Sequence, residues 1–172
     1  MADAELWVND DGLEVRFGSE QGAVARGGEI AAYGEEKQLT LDVVGTEVPA
    51  TASQVPIDKN VTLPPGSYIT SATFYVDTAF VGATATLDLG VMNDDGDGTF
   101  SVLDADGIDV DIAITAIDAA DDEIACNGAL VGTSPVNATD ATLPLVFSYG
   151  FATAALTAGR GRLVVKYRPT VV

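Results

Sequence analysis

"YITSATFYVDTAFVGATATLDLGV" occupies residues 68–91, and its texture decides the fold. Residues 68–76 are dense in aromatic and β-branched side chains, the types that pack well on a pleated, half-buried surface. In 83–91, Ala85, Leu87, Leu89 and Val91 fall on one side, while Thr84, Thr86 and Asp88 fall on the other. That period of two belongs to a strand with one wet face, because successive side chains point to opposite sides of a sheet. The two stretches predict two strands, the second half-buried in a sheet packed on one side.

Working outward, "LEVRF" (13–17), "LTLDVV" (39–44), "LPLVFSYGF" (143–151, interrupted by Pro144) and "GRLVVKY" (161–167) read as further short strands. Between 45 and 66 the chain is rich in Pro, Thr and Ser and reads as an ordered connection turning at Pro64-Pro65-Gly66. Pro presets one dihedral of a turn and Gly tolerates the reversed one. One stretch, "DADGIDVDIAITAIDAADDE" (104–123), fits two templates. Val110, Ile112, Ile114 and Ala116 alternate as in a strand. Val110, Ala113, Ile114 and Ile117 line one side of a helix that Asp106 and Asp109 would cap. The acids crowding its start suit a helix N-terminus, and the reading taken is a short helix over about residues 106–118. Strands of this length, separated by Gly, Pro and Asn turns, predict a mainly β class, an antiparallel β-sandwich or jelly-roll-like barrel with that one helix.

At 172 residues the chain is long enough for one domain with a real core, taken as 1–172 with an extended N-terminal arm at 1–12. Its apolar content of 47% excludes a disordered chain, and no segment reaches the length of a membrane-spanning helix. The opening "MADAELWVNDDG" has no basic region of the kind that starts a secretory signal, so the protein is expected to fold where it is made.

Charge is lopsided, with 26 acids against eight bases and a net −18. Such a surface repels nucleic acid, whose phosphates need Lys and Arg. Cys126 is the single cysteine, so no intramolecular disulfide can form, and it reads as a small structural residue. Histidine is absent, which removes the commonest general base and the commonest zinc ligand together. There is no G-x-S-x-G elbow, no phosphate-binding glycine loop and no HExxH, and the expectation is that the protein is not an enzyme.

Two features carry candidate interactions. "NDDGDGTFSVLD" (93–104) aligns with the calcium-loop pattern: oxygen side chains fall at Asn93, Asp95, Asp97, Thr99, Ser101 and Asp104, and Gly98 sits at the sharp turn. It departs from the pattern in having Asn first and the shorter Asp last, with no helix entering it. A calcium site and an acidic turn between strands both remain open; otherwise no cofactor is expected. The second feature is basic. Arg160, Arg162, Lys166 and Arg168, half of all the bases, lie in the last thirteen residues. They read as a dock for an acidic partner, as the cationic outer face of an edge strand that blocks unwanted pairing, or as partners for the acids of a neighbouring copy.

Several phrases taken in order, "DGLEVRFG", the 63–91 stretch beginning "LPPGSYITSATFYV", "DGTFSVLDADGIDVDIAITAI", "GALVGT" and "TAGRGRLVVKY", resemble capsid decoration (cement) proteins of tailed bacteriophages. The likeness runs from about Asp11 to Tyr167 and rests on the order and the Ala/Thr/Gly/Asp texture of these phrases. It implies a β-rich, non-enzymatic virion protein, made in the host cytoplasm and bound to the outer surface of the assembled head. It further implies the major capsid protein as partner, a homo-trimeric state, and no nucleic acid or membrane contact. The resemblance carries no catalytic or contact residues onto this chain.

Overall fold

The computed structural model describes residues 5–8, 14–17, 36–48, 53–64, 66–132, 143–152 and 154–169. The chain divides into two units, Met1–Glu35 and Glu36–Val172. In the first, β1 (Glu5–Val8) and β2 (Glu14–Phe17) form an antiparallel hairpin with Glu5 opposite Phe17 and Val8 opposite Glu14. The strand expected at 13–17 is β2. Residues 5–8 of the expected arm are β1, and the rest of 1–12 lies outside the described residues.

The second unit holds the strands β3 (Lys37–Val44), β4 (Val55–Pro56), β5 (Thr62–Leu63), β6 (Tyr68–Val81), β7 (Thr86–Asp94), β8 (Phe100–Ala113), β9 (Glu123–Ala125), β10 (Leu145–Ala152) and β11 (Ala158–Arg168). They form two sheets in the orders β3-β11-β6-β9 and β4-β10-β7-β8, with β5 also paired to β10. Every named pairing is antiparallel. Among the described residues the sheets do not close into a barrel, so the sandwich alternative is the one realised. Among those residues, too, no helix is long and apolar enough to cross a membrane.

The inward residues of both sheets form one core. Leu41 and Val43 of β3, Phe74 and Val76 of β6, and Leu163 and Val165 of β11 meet Leu87, Leu89 and Val91 of β7 and Phe147 and Phe151 of β10. Phe74 and Phe80 pack with ring centroids 5.7 Å apart. Burying each such side chain contributes roughly 2 kcal/mol, which is why the alternation in 68–76 and 83–91 dictates the layers. Tyr149 is buried among them, and its hydroxyl donates to the Glu47 carbonyl at 3.2 Å. Before β6 the chain turns as expected: Gly66 has φ +69 and the Ser67 amide donates to the Pro64 carbonyl at 3.2 Å.

One expectation is corrected. Residues 106–113 are not helical; they belong to β8, and only Ile114–Ala116 make a 3-10 turn. Ile112 is buried between the exposed Asp111 and Ala113, as in a strand, while Val110, which the alternation put on the same face as Ile112, is exposed where the strand is irregular. β-branched side chains favour the strand, because helices restrict their χ1 freedom. Asp109, one of the acids that resembled a helix cap, instead accepts from the Val110 amide at 2.9 Å, and Asp88 of β7 accepts from the Asp111 amide at 2.8 Å, holding the irregular strand.

Those irregularities are large. The 14 residues of β8 run beside the 9 of β7, and the widest excursion lies where Val91 faces Asp104 but Leu89 faces Asp109. The excursion folds over Gly90, where a Cβ would come 2.3 Å from the Asp104 carbonyl oxygen and 2.4 Å from that of Ala105. Residues 126–132 then stitch the two sheets along one side. Cys126 donates to Ala72 at 3.0 Å, Gly128 to Ile108 at 2.9 Å, Leu130 to Gly107 at 2.8 Å and Gly132 to Ile69 at 2.9 Å.

Candidate functional site

Residues 93–104 form the β7–β8 hairpin. Asn93 and Asp94 end β7, where they face Ser101 and Phe100, and Asp95–Thr99 make the tip. The tip closes on its own carboxylates. Asp94 accepts from the Gly96 amide at 2.9 Å, Asp97 accepts from both the amide (2.9 Å) and the hydroxyl of Thr99, and Asp95 accepts from the Ser101 hydroxyl at 3.3 Å. Gly96 and Gly98 take φ of +80 and +89, the reversed dihedrals such a turn requires. The two Thr99 hydrogen bonds hold the exposed Asp97 carboxyl below the usual carboxylate value.

Of the six candidate ligands, Asp95, Asp97, Thr99 and Ser101 are thus brought together at the tip. Asp104 is not: it lies in β8 opposite Val91, roughly 13 Å along the strand from Phe100. Asn93 sits at the end of β7, with Leu145 on its other side. Among the described residues no group of three or more acid or thiol side chains is placed to hold a metal ion.

A second acidic region runs along β7 and β8. Burial, followed by the charges of Asp111 and Asp106, raises Asp88. Burial together with the neighbouring Asp106 raises Asp104, and burial raises Asp109, with the Asp88 charge adding to it. Cys126 lies against Asp109. Burial first, then the Asp109 charge, pushes its thiol up to about 12, so it stays protonated and inert at neutral pH.

The four C-terminal bases lie on β11, which is not an edge. It runs between β3 and β6, with Leu163 opposite both Leu41 and Phe74. The edge-guard reading is therefore corrected: β11 has strands on both sides, and the bases project from the middle of a sheet face. Arg160 pairs diagonally with Asp42 at 2.7 Å, and Arg162 pairs with Asp77 at 2.9 Å while its guanidinium lies 6.0 Å from the Tyr75 ring centroid. The acid partners Asp42 and Asp77 were not identifiable from spacing. Asp77 reaches Arg162 because it is the extra residue of a bulge, where the register jumps from Thr78–Arg160 to Val76–Gly161. Lys166 and Arg168 lie farther along the same face, and both are exposed.

With this geometry in place, the fold can be set beside solved structures. The chain is similar to a chain of the capsid of Ralstonia phage GP4, at a TM-score of 0.51 and 18% identity, covering 81% of this chain and 87% of that one. It also aligns with a chain of the cyanophage Pam1 capsid asymmetric unit, at a TM-score of 0.46 and 20% identity, covering 80% and 86%. At these identities the likeness is one of fold. No family model and no curated protein matches the sequence.

Proposed function

We propose that this protein is a structural component of a tailed-phage virion, a decoration or cement protein bound to the outer surface of the head. The observation that carries the reading is the fold shared with a chain of a phage capsid over 81% of the residues. The partner is the major capsid protein, and the working unit is a homo-trimer that bridges capsomers. Stabilisation of the shell follows from mass action, since a ligand that binds only the assembled lattice favours assembly. Repetition over the lattice strengthens contacts that are weak one at a time. The stitched two-sheet core suits this passive role, because it presents broad sheet faces and does not depend on a disulfide for its stability.

The test is to mix the purified chain with undecorated capsids and image the particles. Ordered density at fixed lattice positions is the expected result. Bare shells at every mixing ratio would overturn the proposal.

A further inference from the structure

Of the bases in the second unit, Lys37, Arg160, Arg162, Lys166 and Arg168 lie on the β3-β11-β6-β9 sheet, while Lys59 lies against Phe100 of β8. Arg160, Arg162, Lys166 and Arg168 alternate along β11 with the buried or half-buried Gly161, Leu163, Val165 and Tyr167, and so share the outer face of their sheet. Toward one end Asp42 and Asp77 hold the two arginines. Toward the other, Lys166 has Gln38 on one side and Ser71 on the other, and Arg168 faces Tyr68. Glu36, which precedes β3, accepts a hydrogen bond from the Thr70 hydroxyl. Among the described residues, Lys166 and Arg168 have no acid within ion-pair distance.

The other sheet has the opposite character. Asp88, Asp104, Asp106 and Asp111 gather where β8 bulges over β7, with Asp109 buried beside them, and among the described residues no base pairs with any of them. The charges of Asp111 and Asp106 lie close enough to Asp88 to oppose its ionisation.

We propose that the cationic outer face of β11 docks on the acidic β7–β8 side of a second copy of this chain. A chain of net charge −18 repels its own copies when they meet at random. Contact between these two unlike surfaces is the arrangement in which approach lowers the electrostatic energy, and complementary patches also steer the encounter. Because the surfaces differ, the contact is heterologous, and the trimer of this reading requires a rotation between successive copies that closes it into a ring of three. The inference rests on the trimeric part of the reading above and gives that trimer its interface; it does not depend on binding to a capsid.

The experiment uses the full chain and two double variants, Lys166→Glu with Arg168→Glu, and Asp106→Lys with Asp111→Asn. Asn is chosen at 111 because that residue has φ +53, a region Asn tolerates. Analytical ultracentrifugation in low salt should give a closed oligomer for the wild type, weakened by high salt. Each variant alone should associate at least about tenfold more weakly, because like charges then face one another. Mixing the two folded variants should bring back association as a heterodimer, in which the intact cationic face of one variant meets the intact acidic face of the other; a ring of three cannot alternate the two variants and is not expected to close. A wild type that stays monomeric would overturn the inference, as would variants that associate unchanged or a mixture of folded variants that forms no heterodimer. Undecorated capsids are assayed separately. A monomer that decorates them sinks this interface and leaves the virion reading standing; a ring that ignores them does the reverse.

Discussion

Arg162 grips Asp77 with both arms of its guanidinium: Nε lies 3.0 Å from each carboxylate oxygen, and Nη2 lies 2.9 Å from Oδ1. The pair crosses from β11 to β6 at the bulge that frees Asp77 from a direct opposite number. Both side chains are substantially exposed, so the attraction is screened by water and by salt. A double-mutant cycle of Arg162→Ala and Asp77→Ala, followed by urea unfolding, should give a small favourable coupling that shrinks in high salt. Arg162→Lys should recover little of it, because an ammonium lacks the planar fork. A coupling indifferent to both salt and lysine would mean that the two residues interact through packing.

Gly90 is the residue on which the β8 excursion rests. Replacing it with Ala pushes a methyl group against the carbonyl oxygens of Asp104 and Ala105, and backbone atoms have no rotamer with which to yield. The expected loss is about 1–3 kcal/mol in urea unfolding, the usual cost of overpacking. Gly96→Ala serves as a contrast, because nothing lies within 4 Å of its Cβ position and only the φ of +80 opposes it. Equal losses at the two sites would show that the excursion gives way freely.

The buried and crowded carboxyls make stability depend on pH with an unusual sign. Asp88, Asp104 and Asp109 are raised above their ordinary value of 3.8. The folded chain therefore holds these protons more tightly than the unfolded one. Their contribution is fully present below that ordinary value and is lost as pH climbs through the raised ones. Asp97, which is lowered, acts in the opposite sense: its contribution is present above the ordinary value and is lost as pH falls through the lowered one. Asp109→Asn removes a charge and keeps an oxygen for the Val110 amide. It should raise Tm near neutral pH and lose that advantage below about pH 3, where the carboxyl is largely protonated in both folded and unfolded chains. An equal shift at both pH values would trace the effect to packing.

The hairpin tip is satisfied by its own hydroxyls and amides, and Asp104 lies well down the strand from it. Melting the protein in EDTA and in excess calcium should therefore give the same Tm. A calcium-dependent rise that disappears in Asp95→Ala with Asp97→Ala would show instead that the tip rearranges around an ion.

Much of this architecture could be read from alternation alone. The stretches at 68–76, 83–91 and 161–167 lie within or largely within β6, β7 and β11, because each pairs an apolar face with a polar one. The 106–118 stretch misled because its acids mimic a helix start, while the bulge interrupts the strand period that would have corrected the error. The position of β11 between β3 and β6 was illegible for a different reason. Cations on one face look the same whether a strand is central or at an edge, and only its pairing partners distinguish the two. Asp77 escaped notice likewise, since its place on the arginine side depends on one extra residue in β6.

The central place of β11 also bears on how the chain is made. Its contact with β3 joins residues as far apart as Lys37 and Tyr167, so a ribosome that has reached residue 157 holds β3 and β6 with nothing between them. Closing so long a loop must come before its contacts can stabilise it, which favours late, concerted folding. A nascent chain would then expose two unfinished strand margins until the last sheet member emerges. Truncation before residue 158 should yield aggregation-prone fragments and not a smaller stable domain.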